Sequence, residues 1–430
     1  MNIQTVQHCG TSQTPVSGEC RICGAPLCHP LVDLGMSPLC EAILTAEQCD
    51  QPETYYPLHA LVCERCFLVQ LKQYVPPEQI FREYAYFSSY STSWVEHARK
   101  YCEMITKRLS LSRNSLVVEL ASNDGYLLQH FAQLDVPVIG IEPAANVAKL
   151  AIERGIRTHV EFFGAEMARR LAADGTRADL IIANNVLAHV PDLNDFVAGI
   201  AVLLKPSGVA TLEFPHLQRL MEETQFDTIY HEHFSYFSLG TVRLLAKRHG
   251  VKIIDVEELA THGGSLRVYL THSDAPVRES GRVADLIHRE ETFGMFELAT
   301  YMSFAKRVRR IKRNLLAYLI GTKDEGKMIC GYGAPGKGNT LLNYCGIGTD
   351  FLEFTVDRNP YKHGRFTPGM HIPIYPTEMI DKRRPDYILI LPWNLKQEIV
   401  QQMRHVRAWG CKFIVPIPDV SIIDPAERKA

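Results

Sequence analysis

The chain has 430 residues, enough for two or three domains, and its 46% hydrophobic and 22% charged residues are typical of a globular protein with a buried core. A formal net charge of -2 gives no sign of a nucleic-acid or anionic-membrane partner. No apolar run approaches the roughly 18–20 residues of a membrane span, and the N-terminus lacks the basic-then-apolar layout of a secretory signal. We therefore expect a cytoplasmic protein.

The first segment, residues 1–78, is rich in cysteine and is predicted to bind zinc. Eight of the twelve cysteines lie before residue 67, which in a reducing compartment indicates metal ligation rather than disulfides. Two Cys-x-x-Cys turns stand out, Cys20 with Cys23 and Cys63 with Cys66. Four thiolates complete a tetrahedral zinc shell and leave no open position, so we expect one structural zinc per chain. Cys28, Cys40 or His29 could replace one of these ligands.

The second segment, residues 79–275, alternates apolar strand-like runs with amphipathic helices. Four runs read as buried parallel strands: 116–120, 136–142, 178–185 and 209–214. Residues 126–134 and 146–155 read as helices between them, and Gly155 lies where the second of these helices should end. This alternation predicts an α/β domain built on a mainly parallel sheet.

The carboxyl ends of these strands carry polar residues in the order of a nucleotide site. Glu119 closes the first strand, and a small-residue turn, Ala121-Ser122-Asn123-Asp124-Gly125, leads into a helix. Glu142 closes the second strand, where a carboxylate can accept both ribose hydroxyls of an adenosine, and Asn184 with Asn185 ends a later strand. The G-x-G-x-x-G pattern of dinucleotide enzymes is missing from this turn. The order is similar to that of class I S-adenosylmethionine methyltransferases, which predicts this cofactor.

The densest polar and aromatic run, residues 227–237, follows the last core strand of this sheet. It contains Tyr230, His231, Glu232, His233 and Tyr236, but not the His-Glu-x-x-His pattern of a zinc protease. In an extended chain the two histidines share one face and Glu232 points away, whereas in a turn all three could converge. An imidazole is suited to accepting a proton near neutral pH, and tyrosines can donate to an oxygen that gains negative charge.

The third segment, residues 276–430, is predicted to be a second α/β unit. A charged helix over roughly 282–320 precedes four predicted strands, and its basic run from Lys306 to Arg313 is interpreted as a solvated helix face. Residues 333–340 follow a strand and are predicted to begin a helix, a disposition suited to an anion but different from the Walker form. The tail after Pro418 is predicted to be a surface extension.

Seven motifs together give the chain its resemblance to a known family. Over residues 18–417 the chain resembles bacterial sugar C-methyltransferases. The motifs that carry this resemblance are both cysteine pairs, ELASNDGYLL, NNVLAHVPD, TIYHEHFSYFS, THGGSLRVY, GYGAPGKGNTLLN and VDRNPYKHGRFTPG. Those enzymes act on nucleotide-linked 4-keto-deoxyhexoses. The resemblance implies a zinc lobe, a class I methyltransferase core with a Rossmann-like fold, and a C-terminal Rossmann-like domain that helps to hold the nucleotide sugar.

The resemblance also implies roles for individual residues. His233 matches the general base, Glu232 and Tyr230 lie beside it at the sugar, and Tyr84 and His189 match other active-site positions, although Tyr86 or Tyr90 could take the place of Tyr84. The family usually has glycine where this chain has Ala121, so a methyl group could crowd the cofactor. Residues expected to contact the sugar or its pyrophosphate are Ser265, Arg267, Lys337, Asn339, Asn359, Lys362, Arg365 and His371.

The reaction implied by this resemblance is removal of the proton at C3, beside the C4 ketone, followed by methylation of that carbon. Tyr84, Tyr230 and His189 are the expected donors to the enolate oxygen. Three alternatives stay open: an O-methyltransferase acting on a related sugar or small molecule, an NAD-dependent enzyme using the GYGAPG turn, and a zinc-lobed binding protein without activity. The expected assembly is a monomer or a homodimer, without nucleic-acid or membrane partners.

Overall fold

The computed structural model describes residues 18–76, 87–90 and 92–425. Tyr84 and Tyr86 lie outside the described residues, and only the backbone of Tyr90 is described. Within these ranges no helix combines the length and the apolar composition that crossing a bilayer requires. The strands are numbered along the chain.

The N-terminal lobe is built on a four-stranded antiparallel sheet with the order β1-β2-β3-β9. Its strands are β1 (His29–Ser37), β2 (Tyr56–Val62), β3 (Val69–Leu71) and β9 (Ser235–Tyr236). The last strand comes from the polar and aromatic run of the second segment, because Val69 pairs with Tyr236 and Gln70 with Ser235. The lobe sheet therefore fixes the position of the histidine-containing turn that precedes β9.

The second sheet has seven strands in the order β10-β11-β8-β7-β4-β5-β6. The strands are β4 (Val117–Leu120), β5 (Val138–Ile141), β6 (Thr158–His159), β7 (Ala178–Asn184), β8 (Leu204–Pro215), β10 (Val251–Leu259) and β11 (Ser265–His272). Strands β4 to β8 are parallel, whereas β11 is antiparallel to both β8 and β10. All four predicted strands of this segment are confirmed, since continuous apolar runs are buried on both faces.

Helices connect the parallel strands and cover both faces of this sheet. They are Thr92–Leu109, Leu128–Ala132, Ala145–Glu153, Ala165–Ala173, Leu193–Leu203, Leu217–Glu222 and Leu239–Arg248. Gly155 has φ 81° just beyond Ala145–Glu153, which confirms the predicted helix end. The carboxylate of Asp192 accepts the Asp195 N–H and caps Leu193–Leu203.

The single charged helix predicted over 282–320 is wrong in detail, because three helices occupy that stretch. They are Gly281–Phe293, Leu298–Met302 and Phe304–Asp324. Gly294 takes a left-handed conformation, φ 90°, and ends the first helix. Along Phe304–Asp324 an apolar stripe is buried and the basic run lies mostly on the exposed face, which agrees with a solvated surface.

The third sheet has six strands in the order β14-β13-β12-β15-β16-β17. They are β12 (Ile329–Tyr332), β13 (Thr355–Val356), β14 (Ile374–Tyr375), β15 (Tyr387–Ile390), β16 (Lys412–Val415) and β17 (Ser421–Ile423). Helices Gly336–Cys345, Met379–Arg383 and Lys396–Gln402 accompany them. In the tail after Pro418, predicted to be a surface extension, strand β17 lies at the exposed edge of the sheet and pairs antiparallel with β16.

The N-terminal lobe packs against both the second and the third sheet. The apolar face that carries Leu31 and Val32 shares one core with the third sheet and with helix Phe304–Asp324. The cysteine-bearing end shares another core with the second sheet through Ile22 and Leu27. The predicted α/β architecture, with a small zinc lobe and two Rossmann-like sheets, is confirmed.

Candidate active site and zinc cluster

The four predicted zinc ligands converge on one point. The Sγ atoms of Cys20, Cys23, Cys63 and Cys66 all lie within 4.8 Å of one another, with 3.3 Å between Cys20 and Cys66. Tetrahedral zinc with Zn–S bonds of about 2.3 Å needs S–S separations of about 3.8 Å, so the four thiols fit that ion. Each pair lies on a tight turn: the Gly24 N–H donates to the Cys20 carbonyl, and the Phe67 N–H donates to the Cys63 carbonyl.

The alternative zinc ligands are engaged elsewhere. The Nε2 atom of His29 lies 2.9 Å from a Glu64 carboxylate oxygen. The thiol of Cys40 is buried and donates to the Glu232 carboxylate over 3.6 Å. Cys28 does not belong to the four-cysteine cluster. The metal shell is therefore closed by four thiolates, which suits a structural ion rather than a catalytic one.

The predicted cofactor residues gather at the carboxyl edge of the second sheet. Glu142, after β5, accepts the Asn123 N–H at 2.9 Å and the Ala144 N–H at 2.8 Å. Glu119 is buried at the end of β4, and burial, followed by the nearby Glu142 and Asp124 carboxylates, raises its pKa well above the usual value. The unpaired Oε2 of Glu119 beside an oriented Glu142 leaves oxygens available for the hydroxyls of an adenosine.

Several buried polar atoms at this edge have no hydrogen-bond partner. They are Glu119 Oε2, Ser122 Oγ, Asp124 Oδ1, Asn184 Oδ1 and both amide atoms of the Asn185 side chain. Buried polar groups are nearly always paired in a folded protein, so a cluster of unpaired ones points to a ligand that supplies the partners. The residues present therefore fit S-adenosylmethionine.

The turn after β4 is held in an unusual backbone conformation. Ala121, Asn123 and Gly125 have φ values of 53°, 50° and 77°, and Asn185 in the neighbouring turn has φ 56°. Glycine and asparagine adopt this region readily, but alanine pays a steric cost there. The conformation at Ala121 gives a physical reason for the glycine that the family usually carries at this position.

Two of the predicted cofactor residues also bind the segment before helix Thr92–Leu109. Asn123 Oδ1 accepts the Ser88 N–H at 2.9 Å, and the Asp124 carboxylate accepts the Ser89 N–H and hydroxyl. Arg154 lies 3.5 Å from the same Asp124 carboxylate. Asn123 and Asp124 thus belong to the predicted cofactor site and also position the segment that precedes helix Thr92–Leu109.

The hydrogen bonds of His233 determine which of its ring nitrogens can accept a proton. Its Nδ1 lies 3.0 Å from the Thr228 carbonyl oxygen, which can only accept, so Nδ1 carries the proton. Its Nε2 keeps a lone pair and accepts the Tyr230 hydroxyl at 3.0 Å. Burial, followed by the nearby His189, lowers the pKa of His233 well below its usual value. His233 is therefore a neutral imidazole whose basic nitrogen points to Tyr230.

His189 lies beside His233, with 4.8 Å between the ring centroids. Its Nδ1 donates to the Glu232 carbonyl oxygen at 2.9 Å, and burial lowers its pKa to about 4. A neutral His189 with its proton on Nδ1 presents a lone pair at Nε2. With this tautomer Nε2 is an acceptor, so the role of His189 as a donor to the enolate oxygen stays a prediction that requires a proton on Nε2.

The side chains of His231, Glu232 and His233 diverge rather than converge. His231 Nε2 lies 3.2 Å from the Pro57 carbonyl, at the lobe sheet. The Glu232 side chain is turned toward Cys40, and burial, followed by Glu41, raises its pKa to about 8. Only His233, with Tyr230, faces His189.

The eight predicted substrate residues do not meet at one point. Ser265 donates to the Thr261 carbonyl, and Arg267 forms buried ion pairs with Glu213 and Glu257. The Arg267 ion pairs bind β11 to its neighbours β8 and β10, whereas the Ser265 bond holds the turn from which β11 begins.

The predicted residues of the C-terminal unit divide into two groups. Those tied to the N-terminal lobe are Asn339 through the Cys40 carbonyl, Lys362 through Glu41, and His371 through Glu53. Those outside that contact are Lys337, Asn359 and Arg365. Lys337 donates to Asn394 at 2.8 Å, Asn359 caps the 3-10 turn Pro360–Lys362, and Arg365 is exposed.

Two residues near the reaction centre were missed by the sequence reasoning. His262 has φ 54°, its Nε2 is buried without a partner, and burial followed by Lys337 lowers its pKa to about 4. Its ring meets Trp94 edge-on, with 5.3 Å between centroids. The sequence signals were the THGGSLRVY motif that contains His262 and the pair of glycines that follows it, which marks a strained turn.

Comparisons with known proteins agree with this arrangement. Three family models match: "Putative zinc binding domain" over residues 20–81, "Methyltransferase domain" over 94–256, and "C-methyltransferase C-terminal domain" over 260–418. The C-methyltransferase NovU of Streptomyces niveus is 37% identical over 405 residues, covering 94% of this chain and 96% of that protein.

Other matches cover a smaller part of the chain. The ubiquinone biosynthesis O-methyltransferase of Rhodopseudomonas palustris is 28% identical over 107 residues, covering 25% of this chain and 42% of that protein. Among solved structures, the CcbJ methyltransferase of Streptomyces caelestis has a TM-score of 0.33 at 13% identity, covering 41% of this chain and 89% of that one. Such a score is too low to support an argument about function.

Proposed function

The chain belongs to the C-methyltransferase family and depends on S-adenosylmethionine, and from that premise we propose that it methylates C3 of a nucleotide-linked 4-keto-deoxyhexose through an enolate. The family resemblance supplies the sugar and the position, and the geometry around His233 supplies the chemistry. The proposed catalytic residues are His233, Tyr230, Glu232, His189 and Tyr84, of which Tyr84 lies outside the described residues.

One observation carries the proposal, namely the fixed tautomer of His233. The Thr228 carbonyl holds the proton on Nδ1, so a second proton can be taken only at Nε2, whose lone pair accepts the Tyr230 hydroxyl in this structure. A low pKa keeps the ring neutral at physiological pH, and a base must be neutral before it can take a proton. A hydroxyl substrate would not need this arrangement to the same degree, since an O–H bond is a far stronger acid than a C–H bond.

A carbon acid also requires donors for the enolate oxygen. Each such donor contributes roughly 2.7–4 kcal/mol to lowering the barrier in comparable oxyanion sites. Once Nε2 of His233 has taken the proton it can donate to the Tyr230 oxygen, which releases the Tyr230 hydroxyl hydrogen for the enolate oxygen. The Glu232 side chain is turned toward Cys40, so Glu232 acts on the site through the turn it shares with His233 rather than as a donor to the enolate oxygen.

The chain also limits access of water to the enolate. Strand β9 joins the zinc lobe directly after His233, and Phe234 packs at its start with only 2% of its surface exposed. The Phe234 N–H donates to the Ala188 carbonyl at 2.7 Å, which ties β9 to the turn that carries His189. When bound, S-adenosylmethionine supplies an electrophilic methyl group on a sulfonium.

Hydrogen exchange at C3 tests the proposal without any methyl transfer. The enzyme is incubated in deuterated water with a nucleotide-linked 4-keto-6-deoxyhexose and no S-adenosylmethionine, and the C3 proton is followed by NMR. We expect exchange at C3 with the wild-type enzyme and none with the His233→Asn variant. Absence of exchange, together with product mass spectra showing methyl on oxygen, would establish the O-methyltransferase alternative instead.

A further inference from the structure

The orientation of His233 depends on a short turn of the methyltransferase core. This turn, Phe226–Thr228, is a single 3-10 turn whose three residues are all buried. The Thr228 carbonyl accepts the Nδ1–H of His233 at 3.0 Å and so fixes the tautomer of the base. The turn also has local bonds, such as the one at 2.7 Å from the Thr228 hydroxyl to the Gln225 carbonyl. Such bonds fix the shape of the turn, but its position depends on what packs against it.

The C-terminal unit packs against this turn and bonds to Asp227, its central residue. The Trp393 Nε1–H donates to the Asp227 carboxylate at 2.6 Å, and Trp393 and Asp227 are only 4% and 0% exposed. Next to Asp227, the Phe226 ring meets Tyr344 of helix Gly336–Cys345 edge-on, with 5.2 Å between the ring centroids. The turn that orients the base is therefore held from outside the methyltransferase core.

Lys337 supplies the positive charge that favours an ionised Asp227. Its ammonium lies 5.3 Å from the centre of the Trp393 ring and donates to the Asn394 side chain at 2.8 Å. Burial raises the pKa of Asp227 to about 6, and the Lys337 charge and the Trp393 hydrogen bond oppose this rise. At pH 7 the carboxylate is therefore mostly ionised, and a buried charge needs partners of this kind. Without the Trp393 N–H the carboxylate would have to move or be protonated, which would disturb the turn.

We propose that Asp227 is a positioning residue for His233 and that Trp393 of the C-terminal unit holds Asp227 in place. The inference rests on the proposed function, since it takes His233 as the base. Asp227 acts through Thr228, the next residue in the chain, and does not itself need to touch the reacting atoms. The C-terminal unit then contributes to proton removal, because the base is correctly oriented only while Trp393 is bonded to the turn.

The tautomer of His233 is the property that this support maintains. A neutral imidazole carries one N–H, and the Thr228 carbonyl is the acceptor that keeps this hydrogen on Nδ1. If that carbonyl moves away, the tautomer with the hydrogen on Nε2 is favoured, since Nε2 can donate to the Tyr230 oxygen 3.0 Å away. Nε2 then has no lone pair with which to accept the substrate proton. A small displacement of the turn would thus inactivate the base without changing the cofactor residues.

Trp393→Phe tests the inference, because it keeps an aromatic ring and removes the donor. Hydrogen exchange at C3 is measured in deuterated water with a saturating nucleotide-linked 4-keto-6-deoxyhexose, so that rates rather than affinities are compared. We expect the exchange rate to fall by about tenfold to a hundredfold, since a small misplacement of a catalytic group has effects of this size. Asp227→Leu should show a similar loss. Asp227→Asn, whose side-chain oxygen can still accept the Trp393 N–H, should lose less.

Trp409→Phe is the matched control. The Trp409 Nε1–H donates to the Pro385 carbonyl at 3.0 Å, so this variant removes the same kind of donor from the same unit but away from the turn. Its exchange rate should stay within twofold of wild type. S-adenosylmethionine affinity, measured by calorimetry, should stay within twofold in every variant, which shows that the core is folded.

Nitrogen NMR on isotope-labelled histidine gives a second measurement that needs no substrate. The signals of His233 are identified by their loss in His233→Asn. They should show the hydrogen on Nδ1 in wild type and in Trp409→Phe. In Trp393→Phe and Asp227→Leu they should shift toward the tautomer with the hydrogen on Nε2.

The outcomes separate this inference from the proposed function. An unchanged exchange rate and an unchanged tautomer in Trp393→Phe would overturn the inference and leave C3 methylation intact. The inference would also be overturned by an unchanged tautomer with equal losses of exchange and of S-adenosylmethionine affinity, which indicate general damage to the fold. A shifted tautomer in Trp393→Phe, combined with no exchange at C3 by the wild-type enzyme, would support the positioning role and reject the carbon chemistry.

Discussion

The second and third sheets, both mainly parallel, carry the same arrangement of a carboxylate at the carboxyl ends of their strands. In the second sheet Glu142 accepts one N–H from the turn after β4, at 2.9 Å, and one from Ala144, at 2.8 Å. In the third sheet Asp357 accepts the Ala334 N–H from the turn after β12, at 2.7 Å, and the Asn359 N–H at 2.8 Å. Each carboxylate follows the neighbouring strand and holds the turn that leads into a helix.

The surroundings of the two carboxylates differ. Around Glu142 a cluster of buried polar atoms is without partners. Near Asp357, the Gly336 N–H that begins helix Gly336–Cys345 donates to Glu41 at 2.8 Å, and Lys362 lies 3.2 Å from the same carboxylate. The helix N-terminus predicted to bind an anion is thus occupied by a carboxylate of the N-terminal lobe. A strand-turn-helix pattern alone does not reveal whether its partner is a small molecule or another part of the chain.

The largest effect is expected at the edge of the second sheet, from His233→Asn. Loss of the basic nitrogen should lower methyl transfer by roughly 10²–10⁴-fold, the usual contribution of a general base. S-adenosylmethionine affinity should stay within a few-fold, because the cofactor residues belong to other turns. Steady-state kinetics with a calorimetric titration of the cofactor measure both. Near-wild-type turnover would remove His233 from the mechanism.

Substituting the two equivalent carboxylates tests the comparison directly. Glu142→Ala should weaken S-adenosylmethionine binding by about tenfold or more, since two N–H groups and the ribose contact lose their acceptor. Asp357→Ala removes the same pair of backbone contacts from the third sheet and should leave cofactor affinity within twofold. Titration calorimetry on both variants provides the measurement. Equal losses of cofactor affinity would mean that the two edges are not functionally distinct.

Glu232 lies where the second sheet meets the lobe, and it should govern the alkaline side of the pH profile. Its pKa is raised to about 8, chiefly by burial, so it is mostly protonated at pH 7 and ionises as the pH rises further. An ionised Glu232 would be a buried charge beside Glu41 and would disturb the turn that carries His233, so activity should fall above about pH 8. Glu232→Gln stays neutral at every pH, so its kcat/KM should stay level there. Because the pKa of His233 is lowered, protonation of His233 should not reduce kcat/KM between pH 6.5 and 8.

Glu41→Gln weakens the contact between the N-terminal lobe and the helix N-terminus at Gly336, beside the third sheet. Glutamine can still accept the Gly336 N–H but leaves Lys362, whose side chain is only 16% exposed, without its charged partner. We expect a loss of about 1–2 kcal/mol and a fall of roughly 2–4 °C in apparent Tm, with cofactor affinity unchanged. Differential scanning fluorimetry gives the result, and Glu47→Gln, an exposed carboxylate of the same lobe, is the control. A Tm equal to that of the control would show that the contact is incidental.

Much of this architecture could be predicted from local pattern. Apolar runs located the parallel strands, and the two Cys-x-x-Cys turns located the metal cluster, since both signals are confined to a few neighbouring residues. The break at Gly294 was missed because helical periodicity continues beyond it, and β17 was missed because an edge strand with exposed residues carries a weak apolar signal. The partner of a polar side chain is set by distant residues, so the pairing of Lys362 with Glu41 could not be read from either segment.

The smallest expected effect is that of Ala121→Gly, at the turn after β4. Alanine at φ 53° costs about 1–2 kcal/mol, whereas the greater unfolded-state freedom of glycine costs about 0.5–1 kcal/mol, so the variant should be more stable by up to roughly 1 kcal/mol. Ala144→Gly is the matched control: its φ of -79° suits alanine, and glycine there should destabilise the protein. Urea unfolding midpoints distinguish the two. Tighter S-adenosylmethionine binding by Ala121→Gly would show in addition that the methyl group of Ala121 crowds the cofactor. If Ala121→Gly instead destabilises the protein as much as Ala144→Gly does, the left-handed turn carries no strain.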